Sequence, residues 1–229
     1  MRTAADFEGA LRALATEDQR AKYERFFPGD DSFIGVRMGD VFNLAKTALD
    51  LSADELEALL ESPTHEVRVG ACSIMGKAAT ARKIRPGRHL ELYELYLRRH
   101  DRIDTWDLVD LAAHQVLGTW LLDKPRTPLD RLAESVFWPE RRSAIVATAA
   151  FLKRKEVDDT LRIAAALAGD PEELVQKGVG WMLRYVGDID RTRLLAHLDR
   201  YADSMSRSGV RAAIEKLDTP TRGSYLRSR

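Results

Sequence analysis

One cysteine, Cys72, leaves no partner for an internal disulfide and no thiolate cage for zinc; beside Ala71 and Ile74 it reads as a small buried hydrophobe. The five histidines, His65, His89, His100, His114 and His197, are too scattered to make a metal site by spacing, and His65-Glu66 lacks the second histidine of a zinc-protease motif. Neither a metal nor a cofactor is expected. No apolar run reaches the roughly 18 to 20 residues that cross a bilayer, and Met1-Arg2-Thr3-Ala4-Ala5-Asp6 leads into an amphipathic segment without a signal-peptide core. The expectation is a cytoplasmic protein with no membrane partner. Net charge is missing too, since 36 Lys and Arg balance 36 Asp and Glu. The total therefore gives no support for a polyanionic partner. A balanced chain can still segregate a basic face from an acidic one, and arginine pairs such as Arg98-Arg99 and Arg141-Arg142 suit bidentate phosphate contact.

Strand alternation and hairpin dipeptides are also absent, so the class is all-α. Helical spacing runs from Asp6 to Phe27, with a break at Thr16-Glu17-Asp18, until Pro28-Gly29-Asp30-Asp31-Ser32 ends it. Phe33-Ile34-Gly35-Val36-Arg37 is short and apolar and could pass for a strand. Ser52 with Glu55 three residues on has the form of a capping box, and Ser62-Pro63-Thr64 stops one helix and starts the next. Later helices are expected from Phe137 to Phe151, near 157 to 168, across Leu174 to Val186, near 190 to 201 and near 206 to 217. Residues 1–218 read as a single domain and 219–229 as a loose tail. About a dozen helices joined by short Pro, Gly and Asp turns suggest about six antiparallel pairs. Each pair covers roughly 35 to 45 residues, the period of HEAT-like repeats, which would give an α-solenoid with a concave face. A compact multi-helix bundle is the alternative.

One stretch stands out, Asp104-Thr105-Trp106-Asp107-Leu108-Val109-Asp110, where an indole and several acids interrupt an apolar helical run that continues through Leu121. Trp106 and Asp110 lie one turn apart on one helix face. A ring and a carboxylate on one face can grip a cation. Gly178 and Gly180 weaken a helix by about 1 kcal/mol each against alanine, and close approach of a neighbouring helix is the simpler reason for them.

Several blocks in order carry a resemblance: Ala21-Lys22-Tyr23, Phe33-Ile34-Gly35-Val36, His65-Glu66-Val67-Arg68, Trp106-Asp107-Leu108-Val109-Asp110, Trp138-Pro139-Glu140-Arg141-Arg142, and Gln176 through Arg184. Together they resemble the DNA alkylation repair glycosylases built of HEAT-like repeats, the AlkD-like family, over nearly the whole chain. The resemblance implies a monofunctional glycosylase for cationic N-alkylated purines such as 3-methyladenine and 7-methylguanine. It also implies a double-stranded DNA substrate, with the lesion left stacked rather than extruded. Asp110 matches the family's essential carboxylate, Trp106 and Trp181 the aromatics flanking the deoxyribose, Tyr23 an aromatic near the lesion pair, and Arg141 a backbone contact. Arg142 and Lys177 are expected to join Arg141 at phosphates. A monomer is expected, associated with the nucleoid when bound to DNA; a non-catalytic helical-repeat binder is the alternative.

The chemistry is consistent with that assignment. Alkylation at a ring nitrogen makes the purine a cationic, good leaving group, so no general acid is needed. As the glycosidic bond stretches, positive charge moves onto the sugar. A nearby carboxylate stabilises that charge and can position or deprotonate the attacking water, and each tryptophan face adds roughly 0.5 to 2 kcal/mol of attraction.

Overall fold

A helix over His65–Ala79 carries Val67, Val69, Ala71, Cys72, Ile74, Met75 and Ala78, and all its residues except Lys77 are buried. A helix covered on every side needs neighbours on every side. The computed structural model describes residues 1–26 and 32–227, in two compact units, Met1–Trp120 and Leu121–Arg229. The first contains α1 (Ala4–Arg12), α2 (Glu17–Phe26), α3 (Met38–Ala45), α4 (Ala53–Leu60), α5 (His65–Ala79), α6 (Arg88–Arg98) and α7 (Trp106–Ala112). Helices α3, α4, α6 and α7 all pack on α5. Burial leaves Cys72 an inert thiol with its pKa pushed up.

Local chemistry sets the ends of these helices. Thr3 and Asp6 form a reciprocal capping box on α1. At α4 only half of the expected box forms: Ser52 Oγ accepts from the Glu55 N–H at 3.2 Å. The Glu55 carboxylate instead accepts from the Ala4 N–H at the start of α1, tying the two helices together. The break expected near Thr16 separates α1 from α2, while Pro28-Gly29-Asp30-Asp31 lies outside the described residues.

Phe33–Val36 is an extended loop without ladder partners. Ser32 makes a single bridge to Thr64, and among the described residues every regular element is helical. Gly35 sits at φ +86°, and a Cβ there would lie 2.1 Å from the Thr16 carbonyl oxygen, so only glycine fits. The loop's N–H groups are satisfied by a side chain. Glu66, fully buried, accepts from Ile34 at 3.2 Å through Oε2, and from Gly35 at 2.8 Å and Val36 at 3.2 Å through Oε1. Three successive N–H groups thus make an anion-binding concavity that the protein fills with its own carboxylate.

The helical run expected from Trp106 to Leu121 changes pitch part-way. After Ala112 it widens into a π-helix over Ala113–Gly118, and the Val116 carbonyl meets His89 Nε2 at 3.1 Å. Trp120 packs against Tyr93 and His89, with ring centres 5.5 and 5.2 Å away.

The second unit contains α8 (Thr127–Ala133), α9 (Trp138–Ala147), α10 (Ala149–Leu152), α11 (Asp158–Ala166), α12 (Glu173–Ile189), α13 (Arg191–Tyr201), α14 (Arg207–Ala213) and α15 (Thr219–Arg227). Pro128 and Pro139 stand in first turns, where their missing N–H is harmless. The helix expected to reach Phe151 is divided into α9 and α10. The tail from Thr219, expected to be loose, is helical through Arg227, and the Tyr225 hydroxyl donates to Asp199 at 2.5 Å. Among the described residues no helix is long and apolar enough to cross a membrane.

Helix α12 packs on α9, α13 and α14, and its glycines serve that packing. A Cβ on Gly180 would lie 2.2 Å from the Gly209 carbonyl oxygen and 2.8 Å from Ala212 Cβ. Neither neighbour is the end of a flexible chain, so α12 and α14 would have to separate. Gly180→Ala should therefore cost about 1–3 kcal/mol, read as a lower denaturant midpoint; an unshifted midpoint would show that the interface yields freely.

Candidate functional site

In the first unit, α2, α3, α5 and α7 enclose a cleft of about 300 Å³ lined by Tyr23, Met38, Phe42, Val69, Trp106, Asp107, Asp110 and Leu111. Three of the expected site residues, Tyr23, Trp106 and Asp110, meet here. Trp106 is 39% exposed, and Asp110 is half-buried one turn further along the same helix. Tyr23 arrives from α2: its hydroxyl donates to the Val36 carbonyl at 3.1 Å, and its ring lies 5.5 Å from that of Phe33. Burial raises the Tyr23 pKa, so the hydroxyl stays neutral. Met38, Phe42, Val69 and Leu111 were not singled out from sequence. The one signal for Phe42 is that it sits off the buried Val41–Ala45 stripe of α3.

Asp107, the second carboxylate of the cleft, is held by two side chains. Asp107 Oδ2 lies 2.7 Å from Nε2 of buried His65, and its Oδ1 accepts from the Thr105 hydroxyl at 2.6 Å. Burial works to raise the Asp107 pKa, but His65, by hydrogen bond and charge, and the Thr105 hydroxyl outweigh it, so this carboxyl titrates below its ordinary value. Both Asp107 oxygens are thus engaged by neighbouring side chains. The Thr105 hydroxyl donates to Asp107 and makes no cap bond to α7. His65 also packs on Phe33 at 5.2 Å between ring centres. Its neighbour Glu66 holds the loop on which Tyr23 rests, so adjacent residues of α5 brace both the acidic and the aromatic walls of the cleft. Among the described residues no three His, Cys, Asp or Glu side chains are grouped to hold a metal ion.

The other expected site residues belong to the second unit. Trp181 is half-buried on α12, with Tyr185 one turn on at 6.2 Å between ring centres, and Lys177 is exposed one turn before it. Arg184 and Lys216 approach the Tyr185 ring at 5.8 and 5.7 Å. Of the two arginines of α9, Arg142 departs from expectation. Arg142 is buried at 5% exposure, with Nη1 donating to the Leu174 carbonyl at the start of α12. A guanidinium sealed there joins two helices and cannot reach a phosphate without repacking. Arg141 forks onto Asp170, with Nε at 2.5 Å and Nη2 at 3.0 Å, and its Nη1 donates to the Ser135 and Val136 carbonyls. Asp170 raises its pKa, and one of its five N–H groups is left over.

A family model described as DNA alkylation repair enzyme matches residues 7–217 of the chain. No curated protein matches it. Among solved structures, one described as a "Predicted DNA alkylation repair enzyme from Enterococcus faecalis" shares the fold. Its TM-score is 0.70 at 16% identity, over 90% of this chain and 98% of that one.

Proposed function

The chain belongs to the DNA alkylation repair enzyme family, and from that premise we propose that it is a monofunctional glycosylase of base excision repair. It hydrolyses the N-glycosidic bond of cationic N-alkylated purines, 3-methyladenine and 7-methylguanine among them, in duplex DNA. The observation that carries this reading is half-buried Asp110 in the wall of an aromatic cleft with Trp106 and Tyr23. Positive charge that grows on a sugar at the cleft mouth meets a carboxylate in a partly desolvated setting, where attraction is stronger than in water. Trp106 offers its ring face to the same charge. Asp110 also orients the attacking water, and the resemblance assigns Trp181 a second aromatic contact to the substrate. Lys177, and Arg141 through its remaining N–H, are the cations assigned to phosphate; Arg142 is left out.

The residues around the cleft also favour a substrate that brings its own charge. Tyr23 gives its proton to Val36, and Asp107 is tied to His65 and Thr105. Neither is poised to protonate a departing base. A neutral lesion such as hypoxanthine should therefore leave at least about a hundredfold more slowly than 7-methylguanine, the usual worth of a missing general acid. The test is base release from matched duplexes under single-turnover conditions, and comparable rates would reject the charge-driven mechanism. The base is proposed to stay stacked, so adducts larger than the cleft should still be released. If no methylated base is released at all, the chain is a non-catalytic binder.

A further inference from the structure

Acids outnumber bases around the cleft. Residues 1–120 hold sixteen Lys and Arg against twenty Asp and Glu, whereas residues 121–229 hold twenty against sixteen. The neutral total conceals this division, and a polyanion approaching the first unit meets net repulsion unless local cations oppose it. Many arginines of that unit already carry a counter-charge: Arg12 from Glu8, Arg20 from Glu17, Arg68 from Asp104, Arg85 and Arg88 from Glu91, and Arg98 and Arg99 from Glu57.

The lysines differ. Lys77, the one residue of α5 that is not buried, donates to Ser73 Oγ and lies 5.2 Å above the ring of Phe42. That ring lines the cleft beside Asp110 and Trp106. Lys46, at the end of α3, donates to Asn43 at 3.0 Å. Among the described residues neither ammonium has a carboxylate partner. Burial, and then the charge of Lys46, hold the Lys77 pKa below its usual value, so the two cations feel each other. Helix C-termini attract lysines, by about 0.3–1 kcal/mol each, but that does not explain a second cation near one that already lies over an aromatic ring. Lys46 also lines, with Lys83, Arg85 and Arg88, a cavity of about 590 Å³ in which Asp50 is the acid.

We propose that Lys77 and Lys46, continued by Lys83, form a phosphodiester track that grips the DNA strand whose sugar enters the cleft. The inference rests on the reading of the chain as a duplex-DNA enzyme, but not on base release. The shared ring of Phe42 puts the first cation of the track directly behind the wall that faces the sugar. The track supplies sequence-independent attraction within a unit whose net charge is acidic.

The test is the salt dependence of binding to an undamaged duplex, followed by fluorescence anisotropy, which requires no catalysis. Lys46→Gln and Lys77→Met, the latter keeping an apolar stem on Phe42, should each reduce the slope of log K against log salt by about 0.9, and each should weaken binding several-fold near about 0.1 M salt. Lys22→Gln is the control, because Asp18 already pairs with Lys22 at 2.6 Å, and it should leave the slope unchanged. Unchanged slopes in a folded Lys46→Gln/Lys77→Met double variant would overturn the proposal. So would an equal loss in Lys22→Gln, which would mean that only total charge matters. Calorimetry with inorganic phosphate separates a strand from a small anion. No binding is expected, and phosphate binding abolished by Lys77→Met without any change in the duplex slope would also overturn the track. Loss of base release with these slopes intact would instead count against the proposed chemistry alone.

Discussion

Asp110→Asn should depress base release from methylated duplex by at least about tenfold while leaving duplex affinity nearly intact, at the low end of what a positioned acid or base contributes. The substitution keeps shape and volume, so the cleft and the α7 helix survive, and only the charge facing the sugar is lost. Binding of the ground state draws on phosphate contacts and ring faces, which do not change. The transition state, with its cationic sugar, loses the counter-charge, so the effect belongs in the chemical step rather than in association. Asp107 lies in the same cleft but is an unsuitable substitute, because His65 and Thr105 already occupy its oxygens. The check is single-turnover release of 7-methylguanine with enzyme in excess, alongside anisotropy on the same duplex. Undiminished release would remove Asp110 from the mechanism, and a parallel loss of affinity would recast it as a binding residue.

How much of this could be read from the sequence depends on the distance over which each contact acts. Trp106 and Asp110 share a cleft because one helical turn separates them, and spacing alone reports that. Ser52 and Pro63 punctuate helices through neighbours a few residues away, so those boundaries were legible too. Gly180 was recognisable as a packing glycine because a glycine inside a helix needs a reason, although the identity of its neighbour, Gly209, was not. Tyr23 joined the site only through family resemblance, since its position depends on a carbonyl in another segment. Phe42 and Val69 escaped notice because an apolar residue lining a cleft looks like one lining a core. A sequence likewise shows a guanidinium, but not whether a carbonyl or carboxylate folds back to hold it, as Leu174 does for buried Arg142 and Asp170 for Arg141.

Glu66→Gln should strongly destabilise the first unit, because one buried carboxylate answers three backbone donors at once. Charge-assisted bonds of this kind are stronger than neutral ones, and the amide that replaces one oxygen brings N–H groups of its own toward an N–H. Whichever way the new side chain turns, at least one of Ile34, Gly35 and Val36 faces a donor instead of an acceptor. Rotating the loop away is no remedy, since Gly35 is already held in the left-handed region with its carbonyl accepting from the Thr16 N–H at 2.9 Å. The expected loss is about 2–4 kcal/mol, the sum of a weakened charged acceptor and one unsatisfied buried donor. For a chain of this size that is a fall of roughly 5–15 °C in Tm, measurable by thermal or denaturant unfolding. The consequence for the site follows from Tyr23, which hangs on the Val36 carbonyl: the variant, assayed well below its Tm, should also bind and process methylated duplex less well. If Tm holds and only activity falls, the network orients the cleft without stabilising the fold; if neither changes, water replaces the carboxylate and the loop does not depend on Glu66.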